Sequence, residues 1–83
     1  MYYVYVLKSE LDNNLYVGYT TDLRKRFQKH QNGEVTSKKF RRPLELIFYE
    51  GYKSMKDAKR REVYLKSSKG KSSLNMMLQY SLK

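Results

Sequence analysis

Residues 16–30 read YVGYTTDLRKRFQKH, and this stretch decides how the chain folds. Its first four residues are mostly β-branched or aromatic, which is typical of a strand. A polar residue at one of positions 20–22 can then cap a helix, in which Leu23 and Phe27 lie one turn apart and face inward. Gly33 is a good helix end, because glycine readily adopts the left-handed backbone conformation. The stretch therefore predicts a strand that runs directly into a basic helix.

A second strand is predicted just before this stretch. Residues 2–7, YYVYVL, are rich in residues that favour strands, and the polar cluster SELDNN that follows favours a turn. The two strands should form a hairpin, and a loop over residues 10–13, for example, would place Tyr5 opposite Gly18. Because glycine has no side chain, this pairing would leave open space over the sheet, on the face shared by Tyr5 and Tyr16.

A third strand is predicted after the basic loop of residues 33–43, which shows no regular period. The segment LELIFYEGY, residues 44–52, alternates in the manner of a strand. This alternation should place Leu44, Leu46 and Phe48 on one face of the sheet.

The rest of the chain is predicted to be helical. Ser54, with Asp57 three residues later, forms a capping-box pattern, and MKDAKRREVYLK continues as a strong helix. The SSKGKSS segment breaks this helix near Gly70. Three apolar residues mark a short last helix: Leu74, Met77 and Leu78. The order β-β-α-β-α-α predicts an α/β fold, a three-stranded and mainly antiparallel sheet flanked by helices, in a single domain over residues 1–83.

The composition of the chain favours a nucleic-acid partner. Its 18 Lys and Arg residues outnumber its 8 Asp and Glu residues, which gives a formal net charge of +10. This balance points to a polyanion, with nucleic acid ahead of an anionic membrane, although positive charge can also serve solubility alone. The absence of cysteine and the single histidine exclude thiolate and multi-histidine metal sites. A metal would therefore be a hard cation such as Mg²⁺, held by oxygen ligands.

The apolar runs of the sequence are too short to span a bilayer. The N-terminus shows no basic region followed by an apolar signal segment. We therefore expect a cytoplasmic protein that does not enter the membrane.

Three charged or titratable residues stand close to predicted core positions. Arg26 and His30 lie one turn apart, beside the inward stripe of the first helix, where they can place a phosphate clamp next to a proton-transfer group. Taken singly, Arg26 is more readily explained as an arginine extended along the surface, and His30 as a histidine that interacts with the helix end. Glu62 falls in line with Ala58 and Leu65 on the inward stripe of the second helix. It can pair with a neighbouring base, or bind Mg²⁺ together with waters and substrate oxygens.

These residues, in this order and spacing, resemble the GIY-YIG nuclease superfamily. The resemblance covers essentially the whole chain and rests on Tyr3-Val4-Tyr5, Tyr16-Val17-Gly18, Arg26, His30 and Glu62. The chain is most similar to the small stand-alone bacterial members, relatives of the nuclease domain of an excision-repair subunit. The resemblance implies an endonuclease that hydrolyses DNA phosphodiester bonds with one divalent metal ion per site, Mg²⁺ or Mn²⁺, in DNA repair or recombination.

The resemblance also implies a role for each site residue. Tyr5 would be the general base for the attacking water, aided by His30, and Tyr16 would orient the water or the phosphate. Arg26 would hold the scissile phosphate, and Glu62 would bind the metal. Gly18 would have a structural role, leaving room for these groups.

The chain departs from the family pattern at one position and leaves another uncertain. Tyr3 stands where the first triplet usually has glycine, a change that should mainly affect local packing. Family members often carry an asparagine after the metal-binding glutamate, and Asn75 could fill that role here, although the segment around it is not distinctive.

Several lysines and arginines should bind the phosphates of the nucleic-acid backbone. The affinity of such contacts depends on the salt concentration and not on the base sequence. These residues are Lys38, Lys39, Arg41, Arg42, Lys59, Lys66, Lys69 and Lys71. The expected partner is DNA, with branched, flap and nicked forms all open, and the protein should be a monomer or a weak dimer. The alternative is a non-catalytic module that binds DNA or RNA, in which the tyrosines stack on bases and Glu62 is structural.

Overall fold

A computed structural model describes residues 1–34 and 42–82. The elements are β1 (Tyr2–Ser9), β2 (Leu15–Thr20), α1 (Leu23–Gln31), β3 (Leu44–Tyr52), α2 (Met55–Lys66) and α3 (Ser68–Met77). The strands form one antiparallel sheet in the order β2-β1-β3. The predicted element order and the α/β fold are therefore confirmed. None of the helices in the described ranges is long and apolar enough to cross a membrane.

The hairpin of β1 and β2 has the register that a loop over residues 10–13 predicts, with Tyr5 opposite Gly18. Asn13 adopts a positive φ of 62° in the turn, a conformation that asparagine tolerates better than most residues. The expectation of open space over Gly18 is wrong, because a Cβ atom at this position would collide with the phenol of Tyr5. The ring of Tyr5 itself fills the gap that the glycine leaves.

A β-bulge interrupts the pairing of β1 with β3. Val6 pairs with Phe48, whereas the next residue, Leu7, pairs with Leu46, so β3 contains one extra residue at this point. A bulge of one residue reverses the face on which the following side chains lie. Leu46 therefore packs beside Leu7, and Phe48 packs beside Val6 in the opposite core. The prediction that Phe48 shares a face with Leu46 is wrong for this reason.

The two faces of the sheet carry different helices. On one face, Tyr5 and Leu7 of β1 pack with Leu23 and Phe27 of α1. On the other face, the alternate residues of β1 pack against α2 and α3. That core is formed by Val4, Val6, Ala58, Leu65, Leu74 and Leu78. The alternation of β1 thus separates the layer of α1 from the layer of α2 and α3.

The ends of α1 follow the sequence signals. Asp22 is the N-cap, and its carboxylate accepts a hydrogen bond from the backbone N–H of Lys25 at 3.1 Å. Gly33 follows the helix with a φ of +74°, the left-handed conformation that favours glycine. The predicted start and end of this helix are confirmed.

The boundary between α2 and α3 differs from the prediction. Ser54 is the N-cap of α2 but makes no side-chain capping bond, so the capping box is not formed. The break lies at Ser67, which ends α2 and caps α3 by accepting a hydrogen bond from the N–H of Gly70 at 3.1 Å. Gly70 is buried in the first turn of α3, where a Cβ would collide with the carbonyl oxygen of Tyr64. The glycine permits a close approach of α3 to α2 and does not break the helix.

Candidate active site

The hydroxyl of Tyr5 lies at the centre of a small polar group between β1 and α1. Its oxygen is 3.0 Å from Nε2 of His30 and 3.3 Å from Nε of Arg26. Tyr5 is 3% exposed and His30 is 1% exposed, so the contacts are buried. Gly18 lies under the ring on β2. The structure therefore brings together four of the predicted residues, which we call the Tyr5 cluster: Tyr5, Gly18, Arg26 and His30.

The donors in this cluster fix the direction of its hydrogen bonds. A guanidinium only donates, so the Tyr5 oxygen accepts from Arg26. Burial, and to a smaller degree the positive charge of Arg26, lower the pKa of His30 from 6.5 to about 4. His30 is then neutral at pH 7, and its Nε2 can accept the hydroxyl proton of Tyr5. The arrangement forms a path for a proton from the phenol to the imidazole.

The buried state of His30 predicts a loss of stability in acid. In the unfolded chain His30 takes up a proton near its ordinary pKa of 6.5, whereas in the folded chain it does so only near 4. Protonation therefore favours unfolding as the pH falls below 6.5, and the contribution of the neutral His30 is fully present above that value. We expect His30 alone to lower the unfolding free energy by roughly 2–3 kcal/mol between about pH 7 and pH 4.5.

Urea unfolding of the protein and of His30→Gln, measured across this pH range, checks the effect. The unfolding free energy of the variant should depend less on pH than that of the parent. The variant lacks the contribution of His30 and keeps that of the carboxylates. An equal dependence on pH in the two proteins would contradict a buried, neutral His30.

A polar groove of about 380 Å³ lies beside Arg26, at the start of α1. Its lining consists of Thr20, Thr21, Asp22, Lys25, Arg26 and Lys29. Arg26 is half-buried, so it connects the buried Tyr5 hydroxyl with this groove. Lys25 and Lys29 line this groove but were not predicted as site residues. Lys25 and Lys29 lie one helical turn apart, on either side of Arg26 in the sequence, and this spacing could have predicted that they share a surface with it.

Tyr16 lies at the edge of the sheet, because β2 is an outer strand. It lines a groove of about 460 Å³ between β2 and α3 that also contains Lys71 and Asn75. The rest of this lining consists of Asn13, Asn14, Leu15, Val17 and Leu74. Tyr16 also packs against the core that contains Tyr5, on the α1 face of the sheet. The β2 edge therefore adjoins both helical layers, that of α1 and that of α3.

Glu62 lies on the β2 side of α2. Its carboxylate is 3.1 Å from Nζ of Lys66 and 3.8 Å from Nζ of Lys59, and the ammonium of Lys59 lies 4.0 Å above the ring of Tyr19 on β2. The adjacent Arg61 faces β3, where it pairs with a glutamate. The side chain of Glu62 is 16% exposed, so it is close to the core but not within it.

The described contacts of Glu62 are with the two lysines of its own helix and do not join it to the Tyr5 cluster. The physical reason is that α2 packs on the opposite face of the sheet from α1. No cluster of three or more His, Asp or Glu side chains that could hold a metal occurs in residues 1–34 and 42–82. A metal at Glu62 would therefore rely on this one carboxylate.

The bases predicted to bind nucleic acid are spread over the surface. Arg42 covers Gly33 and donates to the carbonyl oxygen of Gln31 at 3.4 Å, close to the end of α1. The bases of the α2 and α3 layer are exposed: Lys59, Lys66, Lys69 and Lys71. The remaining predicted bases fall outside the described residues: Lys38, Lys39 and Arg41.

Comparison with known proteins identifies the family of the chain. Residues 1–75 match the family of the GIY-YIG catalytic domain. The UPF0213 protein CPE1444 of Clostridium perfringens is 34% identical, over 100% of this chain and 89% of its own length. The UPF0213 protein YazA of Bacillus subtilis is 42% identical, over 78% of this chain and 66% of its own length.

A solved structure supports the same relationship. The solution structure of the UPF0213 protein BH0048 from Bacillus halodurans is 33% identical and has a TM-score of 0.58. The match covers 93% of this chain and 85% of that protein. The names of these relatives state no activity. The chain belongs to the GIY-YIG catalytic domain family, among the small bacterial proteins named UPF0213.

Proposed function

We propose that the protein is a metal-dependent endonuclease that hydrolyses phosphodiester bonds in DNA. One observation carries the proposal: the Tyr5 hydroxyl contacts a neutral proton acceptor, His30, and a fixed positive charge, Arg26. The membership of the chain in a nuclease family supports it. A role in repair or recombination and a cytoplasmic location stay predictions.

The cluster can activate water by moving two protons. Tyr5 passes its hydroxyl proton to Nε2 of His30, and the charge of Arg26 stabilises the phenolate that results. The phenolate then takes a proton from a water molecule whose oxygen attacks the phosphorus. As the new bond to phosphorus forms, the bond between the phosphorus and the leaving sugar oxygen breaks. The leaving oxygen takes up a proton from solvent, and His30 releases its proton to solvent. His30 begins the reaction neutral, as a proton acceptor must.

The groove beside Arg26 is suited to the substrate phosphate. Arg26 uses Nε for Tyr5, and the two terminal amino groups of its guanidinium remain as donors for phosphate oxygens. Lys25 and Lys29 line the same groove and would bind the neighbouring part of the strand. Arg26 would thus align the scissile phosphate with the water activated by Tyr5.

Glu62 fits a hard divalent cation in the chemistry of its donor group. Mg²⁺ commonly binds one or two carboxylates and takes its other ligands from water and substrate. The lysines paired with Glu62 are 53% and 54% exposed, and exposed ion pairs of this kind are weak. A cation can therefore replace them. Glu62 would hold such an ion on the α2 side of the sheet, where it would supply positive charge to the bound strand. Tyr16 and Asn75, which line the nearby β2 edge, would position water or substrate there.

Nicking of supercoiled plasmid and of branched DNA, titrated with Mg²⁺ or Mn²⁺, tests the proposal. The parent protein should cut only with the metal, and chelation should stop the reaction. Glu62→Gln should need a metal concentration about tenfold higher or more, because its carboxylate is lost. Glu45→Gln is the matched control, since it removes the same charge from an exposed residue of β3.

Absence of cutting by the parent with either metal, on every form of DNA, would sink the proposal. Binding to the same DNA would then assign the protein to the non-catalytic modules. Equal metal dependence in Glu62→Gln and the parent would refute only the role of Glu62.

A further inference from the structure

The outer surface of α2 carries an exposed aromatic ring between two grooves. Arg60 and Tyr64 are one helical turn apart and line both grooves, which have volumes of about 390 and 460 Å³. The first groove also contains Tyr52, Asp57 and Arg61, and the second contains Lys59 and Val63. We call the surface formed by Arg60, Val63 and Tyr64 the Tyr64 platform.

The ring of Tyr64 is held in place although it is not covered. Its hydroxyl oxygen is 2.8 Å from Oγ of Ser73 on α3, and the guanidinium carbon of Arg61 lies 5.4 Å from the ring centre. Tyr64 is nevertheless 38% exposed and Val63 is 70% exposed. A fixed and exposed ring loses little conformational freedom when a flat ligand stacks on it.

The positive charge beside this ring belongs to Arg60. Arg61 is bound by both carboxylate oxygens of Glu50, at 2.9 and 3.3 Å, so its charge is balanced. Arg60 is exposed and makes no hydrogen bond or ion pair with the rest of the described chain. The platform thus combines an aromatic surface with the cation of Arg60, and Asp57 is the one carboxylate among the described residues that line the two grooves, in a protein of net charge +10.

We propose that the Tyr64 platform binds single-stranded nucleic acid, with a base stacked on Tyr64 and a backbone phosphate on Arg60. Stacking on aromatic side chains together with phosphate contacts is the usual chemistry of single-strand binding. A duplex offers its phosphates but keeps its bases stacked on each other, so it would gain little from Tyr64. The platform lies on the opposite side of the sheet from the Tyr5 cluster. The inference goes beyond the proposed cleavage, because this binding needs neither Tyr5 nor a metal.

Fluorescence anisotropy with a labelled oligothymidine of about 12 nucleotides, in the presence of a chelator, tests the platform. A duplex of the same length and a polyglutamate peptide are measured in parallel. Tyr64→Ala should weaken single-strand binding by about tenfold, because the stacking is lost, and should change duplex binding much less. Tyr64→Phe keeps the ring and should bind as the parent does. Arg60→Ala should weaken binding of both nucleic acids.

Two matched variants control for general effects. Tyr80→Ala removes another exposed aromatic ring, and Lys56→Ala removes another exposed charge of α2, and neither residue lines the two grooves. Both should bind the single strand as the parent does. Thermal melting of every variant shows that it is folded.

Unchanged single-strand binding in folded Tyr64→Ala overturns the proposal, as does an equal loss of single-strand and duplex binding. If Tyr64→Ala loses binding to polyglutamate and keeps binding to the single strand, the surface would be assigned to an acidic protein partner. That result would also overturn the proposal. Because the assay contains no free metal, its result does not depend on whether the protein cuts DNA.

Discussion

Tyr5→Phe should lower the rate of DNA cleavage by about 10²–10⁴-fold, the usual contribution of a general base. The phenylalanine ring can still cover Gly18, so the packing between β1 and β2 is kept. The hydroxyl that contacts His30 and accepts from Arg26 is lost. His30 and Arg26 each lose this hydrogen bond, which should lower the unfolding free energy by about 1–3 kcal/mol. Single-turnover cleavage and urea unfolding measure the two effects separately.

Tyr3→Phe is the matched control for this prediction. Tyr3 lies on the same strand, and its ring contacts that of Tyr49, but among the described residues its hydroxyl makes no hydrogen bond. The control variant should cut at the rate of the parent. A Tyr5→Phe protein that cuts within about threefold of the parent would exclude Tyr5 as the base.

Gly18→Ala should damage the site through sterics alone. The new Cβ would collide with the hydroxyl oxygen and the Cζ atom of Tyr5, so the ring must move away from β2. This movement breaks the contacts of Tyr5 with His30 and Arg26. We expect cleavage to fall to about the level of Tyr5→Phe, and the unfolding free energy to drop by about 1–3 kcal/mol, the usual result of overpacking.

The double variant Gly18→Ala with Tyr5→Phe separates the causes. If the alanine acts by displacing the Tyr5 hydroxyl, the double variant should cut no more slowly than Tyr5→Phe alone. Gly51→Ala on β3 is the control, because its Cβ would lie 2.9 Å from the flexible end of Met1 and 3.3 Å from the ring of Tyr3. Parental cleavage by Gly18→Ala would show that the phenol position is not critical.

The sequence was sufficient for features that depend on local chemistry. The polar turn predicted the hairpin, and the pairing of Tyr5 with Gly18 matches a loop over residues 10–13, which was one example of its length. Asp22 and Gly33 mark the ends of α1 because capping and left-handed geometry are properties of single residues. The spacing of Arg26 and His30 then placed both side chains against the same strand.

Features that depend on packing between distant segments were not predictable. The bulge that moves Phe48 to the other face reflects pairing with β1, which the alternation of β3 does not reveal. Gly70 resembles a helix breaker in sequence, but its role follows from how closely α3 approaches the carbonyl oxygen of Tyr64. The grooves that unite Tyr16 with Asn75, and Arg60 with Tyr64, also require the placement of α2 and α3.

The position of Tyr5 on the middle strand has a consequence for the motion of the site. β1 is paired along its length by β2 on one side and β3 on the other, so the main chain at Tyr5 is held from both sides. Within the sheet that residues 1–34 and 42–82 form, β2 has a neighbour on one side alone. Edge strands open at a lower free energy than the centre of a sheet. We therefore expect local fluctuations of the edge to move Tyr16 more readily than Tyr5, whose strand is held from both sides.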